Sequence, residues 1–342
     1  MAEQQQQQHR TAGITEAMIG AYANLPLMEA AHAATSKPTA PEYEPSSFNH
    51  KFATVNGYKY HYVEEGNLDG ITLVLIHGFP DMWYGWRYQI RHLAKQGYRV
   101  IAIDNLGTGE TDHPRCDDGD YDIYRSKKLA SNVVGLLDEL KIEKAVFIGH
   151  DWGAFIAGKV GLHFPERCHT VISLGMPFFK PSVEYDYLEG DLKKFPQFSY
   201  VPVFQSKESD NWFDGDARKS ATALLNMLYY TSPGTNVQEK NYYIDSFSRT
   251  TLHGPLNLYR ASRLNYQDEQ PYVGKNYIPP VFRITIENDP IVTPEYIAIH
   301  PVDWYDSIEF GTITKGGHFA TTENPDEVNR VLTEYLAKFF KK

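Results

Sequence analysis

The chain has 342 residues, of which 42% are hydrophobic and 14% aromatic, enough for one large core or a core with a smaller inserted domain. The formal net charge is -10, and the Lys and Arg residues are spread along the chain rather than clustered. Because phosphate binding needs a concentrated positive face, this composition argues against a nucleic-acid partner.

The cysteine count and the N-terminus point to an intracellular setting. Cys116 and Cys168 lie far apart, without CxxC or Cys/His ligand spacing. This argues against a disulfide framework or a zinc site, although one chance disulfide stays open. No apolar run approaches the length of about 18 residues that a spanning helix needs. MAEQQQQQHR also lacks the order of a secretory signal, so we predict a soluble, cytoplasmic protein.

Two kinds of rhythm follow one another along the chain. KFATV-NG-YKYHYVEEG alternates around Asn56-Gly57 and predicts a β-hairpin. After it, buried strands alternate with amphipathic helices. The predicted strands are ITLVLIHGF, YRVIAIDNLG, KAVFIGHD, CHTVISLG, VFRITIEND and SIEFGTITKGGHF. Continuous apolar strands that alternate with helices predict an α/β fold, with a mostly parallel twisted sheet covered by helices on both faces.

The alternation stops between residues 178 and 275, which are rich in Tyr, Phe, Pro and Lys and show helical periodicity. We therefore predict four segments. Residues 1–45 form a partly disordered or helical tail, 46–177 the first part of the α/β core, 178–275 a helical cap and 276–342 the second part of the core. Such an insertion lies over the carboxyl ends of the strands, where ligands bind.

Four sequence points fall at the predicted carboxyl ends of parallel strands: HGFP at 77–80, Asp151, Asp289 and His318. The order nucleophile, acid, histidine is that of the α/β-hydrolase triad. HGFPD, GHDWGA, ENDPIV and GGHF closely resemble the α/β-hydrolase-fold epoxide hydrolases, and the resemblance covers residues 46–342. It implies a hydrolase that opens an epoxide to a vicinal diol, without a cofactor or a metal.

The resemblance implies a role for each of these residues. Asp151 at the strand-to-helix turn attacks an sp3 carbon and forms an alkyl-enzyme ester. His318, neutral when it acts as the base, activates water, and Asp289 orients it and stabilises the imidazolium. The backbone N–H groups of Phe79 and Trp152 form the oxyanion hole. The resemblance also implies a cis bond between Phe79 and Pro80.

The acid has two competitors in the sequence. Glu287 lies two residues before Asp289, and side-chain alternation does not exclude it. The family pattern places the acid just beyond this strand and so favours Asp289. Some relatives carry the acid after the preceding strand, near Gly175, but LGMPFF has none there.

Two cap tyrosines are implied as the acids that activate the epoxide oxygen. PLNLYR resembles the Asn-x-Tyr-Arg signature and assigns Tyr259, while FSYVPVFQ resembles the aromatic segment that ends in Phe-Gln and assigns Tyr200. Tyr185, Tyr187 and Tyr266 are reserves. The implied pocket for a small apolar epoxide is lined by Phe79, Trp152, Tyr200, Tyr259 and Phe319.

Two other functions stay open at this point. Haloalkane dehalogenases share the Asp/His/acid arrangement, but Phe79 in HGFP and Trp152 after the nucleophile favour the epoxide. A non-enzymatic ligand-binding protein of the same fold is the other. The sequence departs from the family pattern at Gly107-Thr108-Gly109, where the family usually reads Gly-Tyr-Gly. We expect this difference to affect which substrate shapes the protein accepts, and not the chemistry. A homodimer is also left open.

Overall fold

The computed structural model describes residues 38–184, 194–207, 209, 216–229 and 236–340. Most of the predicted tail, residues 1–37, lies outside the described residues. The reserve tyrosines Tyr185 and Tyr187 lie outside them as well. Within the described part of the chain, no helix is long and apolar enough to cross a membrane. Cys116 and Cys168 are both buried and unpaired.

The predicted hairpin is confirmed. Strand β1 (His50–Val55) pairs antiparallel with β2 (Tyr58–Gly66), with Val55 opposite Tyr58. Asn56 and Gly57 between them have φ angles of 50° and 88°. Both are left-handed, as a two-residue type I′ turn requires, and this explains the Asn-Gly dipeptide.

The six later strands also form as predicted. They are β3 (Thr72–Ile76), β4 (Arg99–Ile103), β5 (Ala145–His150), β6 (Cys168–Leu174), β7 (Val281–Ile286) and β8 (Ile308–Ile313). The sheet order is β1-β2-β4-β3-β5-β6-β7-β8, and every neighbouring pair from β4 to β8 is parallel. The carboxyl ends of these strands therefore meet along one edge of the sheet.

Helices follow the strands of the core. They are α1 (Arg87–Lys95), α2 (Ser126–Glu139) and α3 (Trp152–His163) in the first part, and α9 (Pro294–Ala298), α10 (Ala320–Glu323) and α11 (Pro325–Phe339) in the second. Apolar periodicity predicts a buried face at 129, 133, 136, 137 and 140; α2 buries the first four, and Leu140, just beyond the helix, is half-buried.

The described residues between 178 and 275 contain helices and no strand. These helices are α4 (Val201–Gln205), α5 (Ala217–Tyr229), α6 (Val237–Thr250), α7 (His253–Arg260) and α8 (Ser262–Glu269). The helical character predicted for this region is confirmed. The boundaries of the four predicted segments stay predictions.

Helix α6 is tied to the core by a buried ion pair. The Arg87 guanidinium donates to Glu239 Oε2 at 2.9 Å, and the two side chains are 0% and 2% exposed. Glu239 also completes a capping box with Asn236 at the start of α6. The Glu239 carboxylate thus stabilises the first turn of α6 and also attaches this helix to the core.

We expect Glu239→Gln to lower the free energy of unfolding by about 3–5 kcal/mol, because it leaves Arg87 buried without a countercharge. Glutamine still completes a capping box, so the helix start is preserved. Chemical denaturation measures the change. The control is Glu334→Gln in the exposed i,i+4 pair with Arg330, which should cost less than about 0.5 kcal/mol. Equal losses in both variants would contradict this role of the buried pair.

Candidate active site

Asp151 lies at a sharp turn between β5 and α3. Its backbone has φ 53° and ψ -125°, a conformation that side-chain-bearing residues rarely adopt. The turn is packed so closely that Cβ atoms have no room beside it. A Cβ on Gly149 would lie 2.2 Å from the Gly153 carbonyl oxygen, and one on Gly153 would lie 2.0 Å from the Ile76 carbonyl oxygen. Glycine on both sides lets the turn present Asp151 above the sheet.

The Asp151 carboxylate is 5% exposed and is held at both oxygens. Oδ1 accepts the Phe79 N–H at 2.8 Å, and Oδ2 lies 3.5 Å from His318 Nε2. Gly78 passes close beside it, since a Cβ at this position would lie 2.3 Å from Oδ1. The HGFP loop therefore needs glycine at position 78 to reach the carboxylate.

Behind Asp151, His318 is bonded to the predicted acid. His318 Nδ1 lies 2.8 Å from Asp289 Oδ2, while Asp289 Oδ1 accepts the N–H groups of Ile291 and Val292. Glu287 is exposed. The structure thus brings Asp289, and not its competitor, to the histidine.

The position after β6, where some relatives carry the acid, converges on the same point. A Cβ on Gly175 would lie 3.6 Å from Asp289 Oδ2. A carboxylate at either strand end would therefore approach the same histidine. This explains why the two positions are alternatives.

The three groups shift one another's pKa values. Burial raises the pKa of Asp151, but the hydrogen bond and positive charge of His318 outweigh it, so the pKa lies below its ordinary value. Burial lowers the pKa of His318, but the charge of Asp289 and the hydrogen bonds to both carboxylates hold it well above 6.5. In the free protein Asp151 and His318 therefore form an ion pair at neutral pH.

The peptide between Gly78 and Phe79 is held at both ends. Its N–H donates to Asp151, and its carbonyl oxygen accepts His77 Nδ1–H at 2.7 Å. His77 Nε2 in turn accepts the Asn105 N–H at 3.0 Å, which leaves the proton on Nδ1. These contacts give His77 a positioning role, because it holds the peptide whose N–H reaches Asp151. In the sequence, this residue is recognisable as the histidine at the first position of HGFP.

The second predicted donor lies where a helix begins. Trp152 is the first residue of α3, and the first N–H groups of a helix have no partner within it. The predicted cis bond between Phe79 and Pro80 is present. Below the turn, His150 Nε2 lies 2.7 Å from the His318 carbonyl oxygen. Burial and the charge of His318 lower the pKa of His150 to about 4, so this ring is neutral and donates to the carbonyl oxygen.

The Tyr200 and Tyr259 rings lie 6.2 Å apart between centroids, and the Tyr259 ring lies 6.0 Å from the ring of Phe79, whose N–H donates to Asp151. Burial, each other's proximity and the charge of Asp151 raise the pKa of Tyr259, while burial and Asp151 raise that of Tyr200. The Tyr259 ring also packs edge-on against the Trp152 ring, with centroids 4.8 Å apart. Both phenols are therefore protonated at neutral pH, and the negative charge of Asp151 contributes to this.

The two signature segments are bonded to each other through residues to which the sequence assigned no role. Gln205 Nε2 donates to the Tyr259 carbonyl oxygen at 3.2 Å. Arg260 donates to the Ser206 carbonyl oxygen at 3.2 Å and to Ser209 Oγ at 2.6 Å. The Gln of Phe-Gln and the Arg of Asn-x-Tyr-Arg thus hold Tyr200 and Tyr259 in register. Both residues belong to the short segments on which the resemblance assigned the two tyrosines.

The other predicted residues lie farther from this meeting point. The Phe319 ring packs on the His318 ring, with centroids 5.1 Å apart. The Tyr266 hydroxyl donates to the Val183 carbonyl oxygen at 2.7 Å. A Cβ on Gly107 would lie 2.8 Å from Gly254 Cα, so the Gly-Thr-Gly loop packs on α7, the helix that carries Tyr259.

No group of three or more His, Cys, Asp and Glu side chains is arranged to hold a metal ion within the described ranges. What the site combines is a buried ionised carboxylate, a histidine–aspartate pair, a backbone N–H donor and two protonated phenols. The fold and the site together define an α/β hydrolase whose elbow carries a carboxylate instead of a hydroxyl.

The comparisons with known proteins agree. The α/β hydrolase fold family matches residues 71–325. Epoxide hydrolase 3 of Siraitia grosvenorii is 30% identical over 85% of this chain and 98% of its own length. Potato (Solanum tuberosum) epoxide hydrolase I superposes with a TM-score of 0.76 at 27% identity, over 85% of this chain and 99% of that one. The chain belongs to the epoxide hydrolases of the α/β hydrolase fold.

A mammalian relative has a longer chain. Bifunctional epoxide hydrolase 2 of Mus musculus is 32% identical over 85% of this chain, but only 56% of its own length is matched. The chain therefore spans about half the length of this relative. The similarity is confined to that part.

The ion pair between Asp151 and His318 generates a prediction. Asp151→Asn should lower the pKa of His318, because it removes one of the two carboxylates that raise it while burial continues to lower it. NMR titration of the imidazole nitrogens measures the shift. Asp303→Asn, which changes a 73% exposed carboxylate paired with Lys180, serves as the control and should leave His318 unchanged. An unaltered pKa in Asp151→Asn would show that the ion pair does not form.

Proposed function

We propose that this chain hydrates epoxides to vicinal diols through an alkyl ester on Asp151. The observation that carries the proposal is a buried, ionised carboxylate that faces two protonated phenols and has a histidine–aspartate pair behind it. A carboxylate is a competent nucleophile at an sp3 carbon without a base, while phenols can donate to a ring oxygen.

In the first half-reaction, Asp151 Oδ2 attacks an epoxide carbon while Oδ1 stays on the Phe79 N–H. The carbon–oxygen bond of the ring breaks, and the departing oxygen takes a proton from Tyr200 or Tyr259. Their pKa values, raised by burial and by Asp151, keep both phenols protonated until charge develops on that oxygen. The products of this step are an ester and an alcohol.

Ester formation also prepares His318 for its second task. An esterified Asp151 carries no charge, so one cause of the raised pKa of His318 disappears. The proton that His318 releases replaces the one donated by the tyrosine. The neutral imidazole that the sequence analysis required thus arises after alkylation, since the free protein holds an imidazolium.

In the second half-reaction, His318 takes a proton from water, and the hydroxide attacks the ester carbonyl carbon of Asp151. The N–H groups of Phe79 and Trp152 stabilise the oxyanion, and Asp289 stabilises the imidazolium. The bond from this carbon to Oδ2 breaks, the imidazolium gives its proton to the departing Oδ2 so that the diol leaves, and the new carboxyl group of Asp151 returns a proton to His318. Asp151 and His318 return to their charged states, so the proton balance closes.

The remaining assignments belong to the same proposal. The pocket for a small apolar epoxide is lined by Phe79, Trp152, Tyr200, Tyr259 and Phe319, and the described helices between residues 201 and 269 cover it. Among them, the Trp152 and Tyr259 rings lie 4.8 Å apart and the Phe79 and Tyr259 rings 6.0 Å apart, which supports an aromatic wall beside the nucleophile. The cytoplasmic location and the homodimer stay predictions.

A single turnover in heavy-oxygen water tests the nucleophile. The label should enter the Asp151 carboxylate, while the diol takes its new oxygen from the protein, because hydroxide attacks the ester carbonyl carbon. Mass spectrometry of the peptide and of the diol reads out both. His318→Gln should trap the ester, since it removes the base for its hydrolysis. Label found directly in the diol would mean that water opens the epoxide and that Asp151 is not the nucleophile.

Removal of the phenol hydroxyls tests the acids. Tyr259→Phe or Tyr200→Phe alone should slow ester formation by about 10- to 10³-fold, and the double variant should nearly abolish it. Stopped-flow measurement of alkylation, compared with hydrolysis of the preformed ester, separates the steps. Tyr266→Phe is the matched control and should leave both rates unchanged. Brisk halide release from 1-haloalkanes that survives the double change would instead favour a dehalogenase.

A further inference from the structure

Arg283 is a charged residue in the interior of the sheet. It lies in the middle of β7, opposite Ser173 of β6 and Phe310 of the edge strand β8, and it is 5% exposed. Its neighbour Phe282 stacks on Tyr335 of α11 with centroids 4.2 Å apart. Because successive side chains of a strand point to opposite faces, Arg283 points away from α11.

The Arg283 guanidinium lacks a countercharge. Its Nε and Nη1 atoms are buried and have no hydrogen-bond partner, and no carboxylate in the described ranges forms an ion pair with it. The guanidinium stays charged in proteins, and buried charges are normally paired. Arg87, a comparably buried arginine at the start of α1, is paired in this way, since it has Glu239 at 2.9 Å.

A second group beside Arg283 is also unsatisfied. His300 Nε2 is buried without a hydrogen-bond partner. Burial and the positive charge of Arg283 lower the pKa of His300 to about 4, so the ring is neutral and contributes no repelling charge at neutral pH. Arg283 and the neutral His300 thus lie close enough to interact, and the Tyr305 hydroxyl, which interacts with Arg283 as well, is also buried without a hydrogen-bond partner.

The surroundings of this place are apolar and partly open. The Arg283 guanidinium lies over the Phe310 ring, 5.2 Å from its centroid. Phe310 is 59% exposed, and Ile299 and Val302, which flank His300 in the sequence, are 49% and 43% exposed. Phe310 therefore remains in water beside the buried cation, and two more large apolar side chains are exposed next to His300 in the sequence.

We propose that Arg283 binds the carboxylate of an organic acid whose apolar body lies on Phe310, Ile299 and Val302. A carboxylate matches the planar guanidinium and accepts its free N–H groups, and His300 supplies a further polar contact. The apolar body covers the exposed side chains. This site shares no residue with the triad or with the two tyrosines, and it does not depend on the proposed function.

Calorimetric titration of the full chain with octanoate tests the site. Octanoate should bind saturably, and at least about 10-fold more tightly than acetate, inorganic phosphate or octanol. Acetate and phosphate lack the apolar chain, and octanol lacks the carboxylate. Arg283→Met should weaken octanoate binding at least about 10-fold. Arg330→Met, at an exposed arginine on α11, is the matched control and should bind octanoate like the unmodified protein.

Two further measurements keep the test independent of folding defects. Phe310→Ser changes an exposed side chain and should weaken octanoate but not acetate. Arg283→Met should also raise the thermal midpoint in anion-free buffer, because it removes a buried unpaired charge. Unchanged octanoate affinity in Arg283→Met, or a lower thermal midpoint with octanoate bound as before, would overturn the site. Equal affinity for acetate, phosphate and octanoate would overturn the organic acid as its ligand.

Discussion

The site depends on keeping one carboxylate buried and yet ionised. Burial alone would raise the pKa of Asp151 and remove its nucleophilic form. The Phe79 N–H and His318 supply the compensation, one at each oxygen. The chain also fixes the donor itself, since His77 and Asn105 hold the peptide that carries the Phe79 N–H. The network around Asp151 therefore preorganises charge stabilisation before any substrate arrives.

Backbone geometry gives the carboxylate its position. The positive φ of Asp151 is a strained conformation, a type that costs about 1–3 kcal/mol and persists where the surrounding structure over-determines it. The buried parallel strands β3 and β5 and helix α3 supply that constraint. Glycines at 78, 149 and 153 permit contacts at which any Cβ would collide with backbone or carboxylate atoms. The elbow motif is therefore a packing requirement as well as a chemical one.

Tyr200 and Tyr259 are also held in place, although they come from another part of the chain than Asp151. Gln205 and Arg260 connect the two tyrosine-bearing segments to each other. The buried pair of Arg87 and Glu239 anchors the neighbouring helix α6 to the core. The two tyrosine-bearing segments thus form one hydrogen-bonded unit. These contacts resist displacement of either tyrosine. Such a displacement would misalign reacting groups and so slow a reaction.

Local sequence patterns are enough to predict the alternation of strands and helices, the hairpin at Asn56-Gly57 and the chain order of Asp151, Asp289 and His318. These features depend on local periodicity, turn chemistry and motifs within a few residues. The tertiary structure was needed to show that Asp289 rather than Glu287 reaches His318. It was also needed to show that His77 holds the peptide at Gly78 and that Gln205 donates to the Tyr259 carbonyl oxygen. The missing countercharge of Arg283 is likewise a property of the folded chain. Such contacts connect residues far apart in the chain, and burial then sets their pKa values, so neither can be read from sequence spacing.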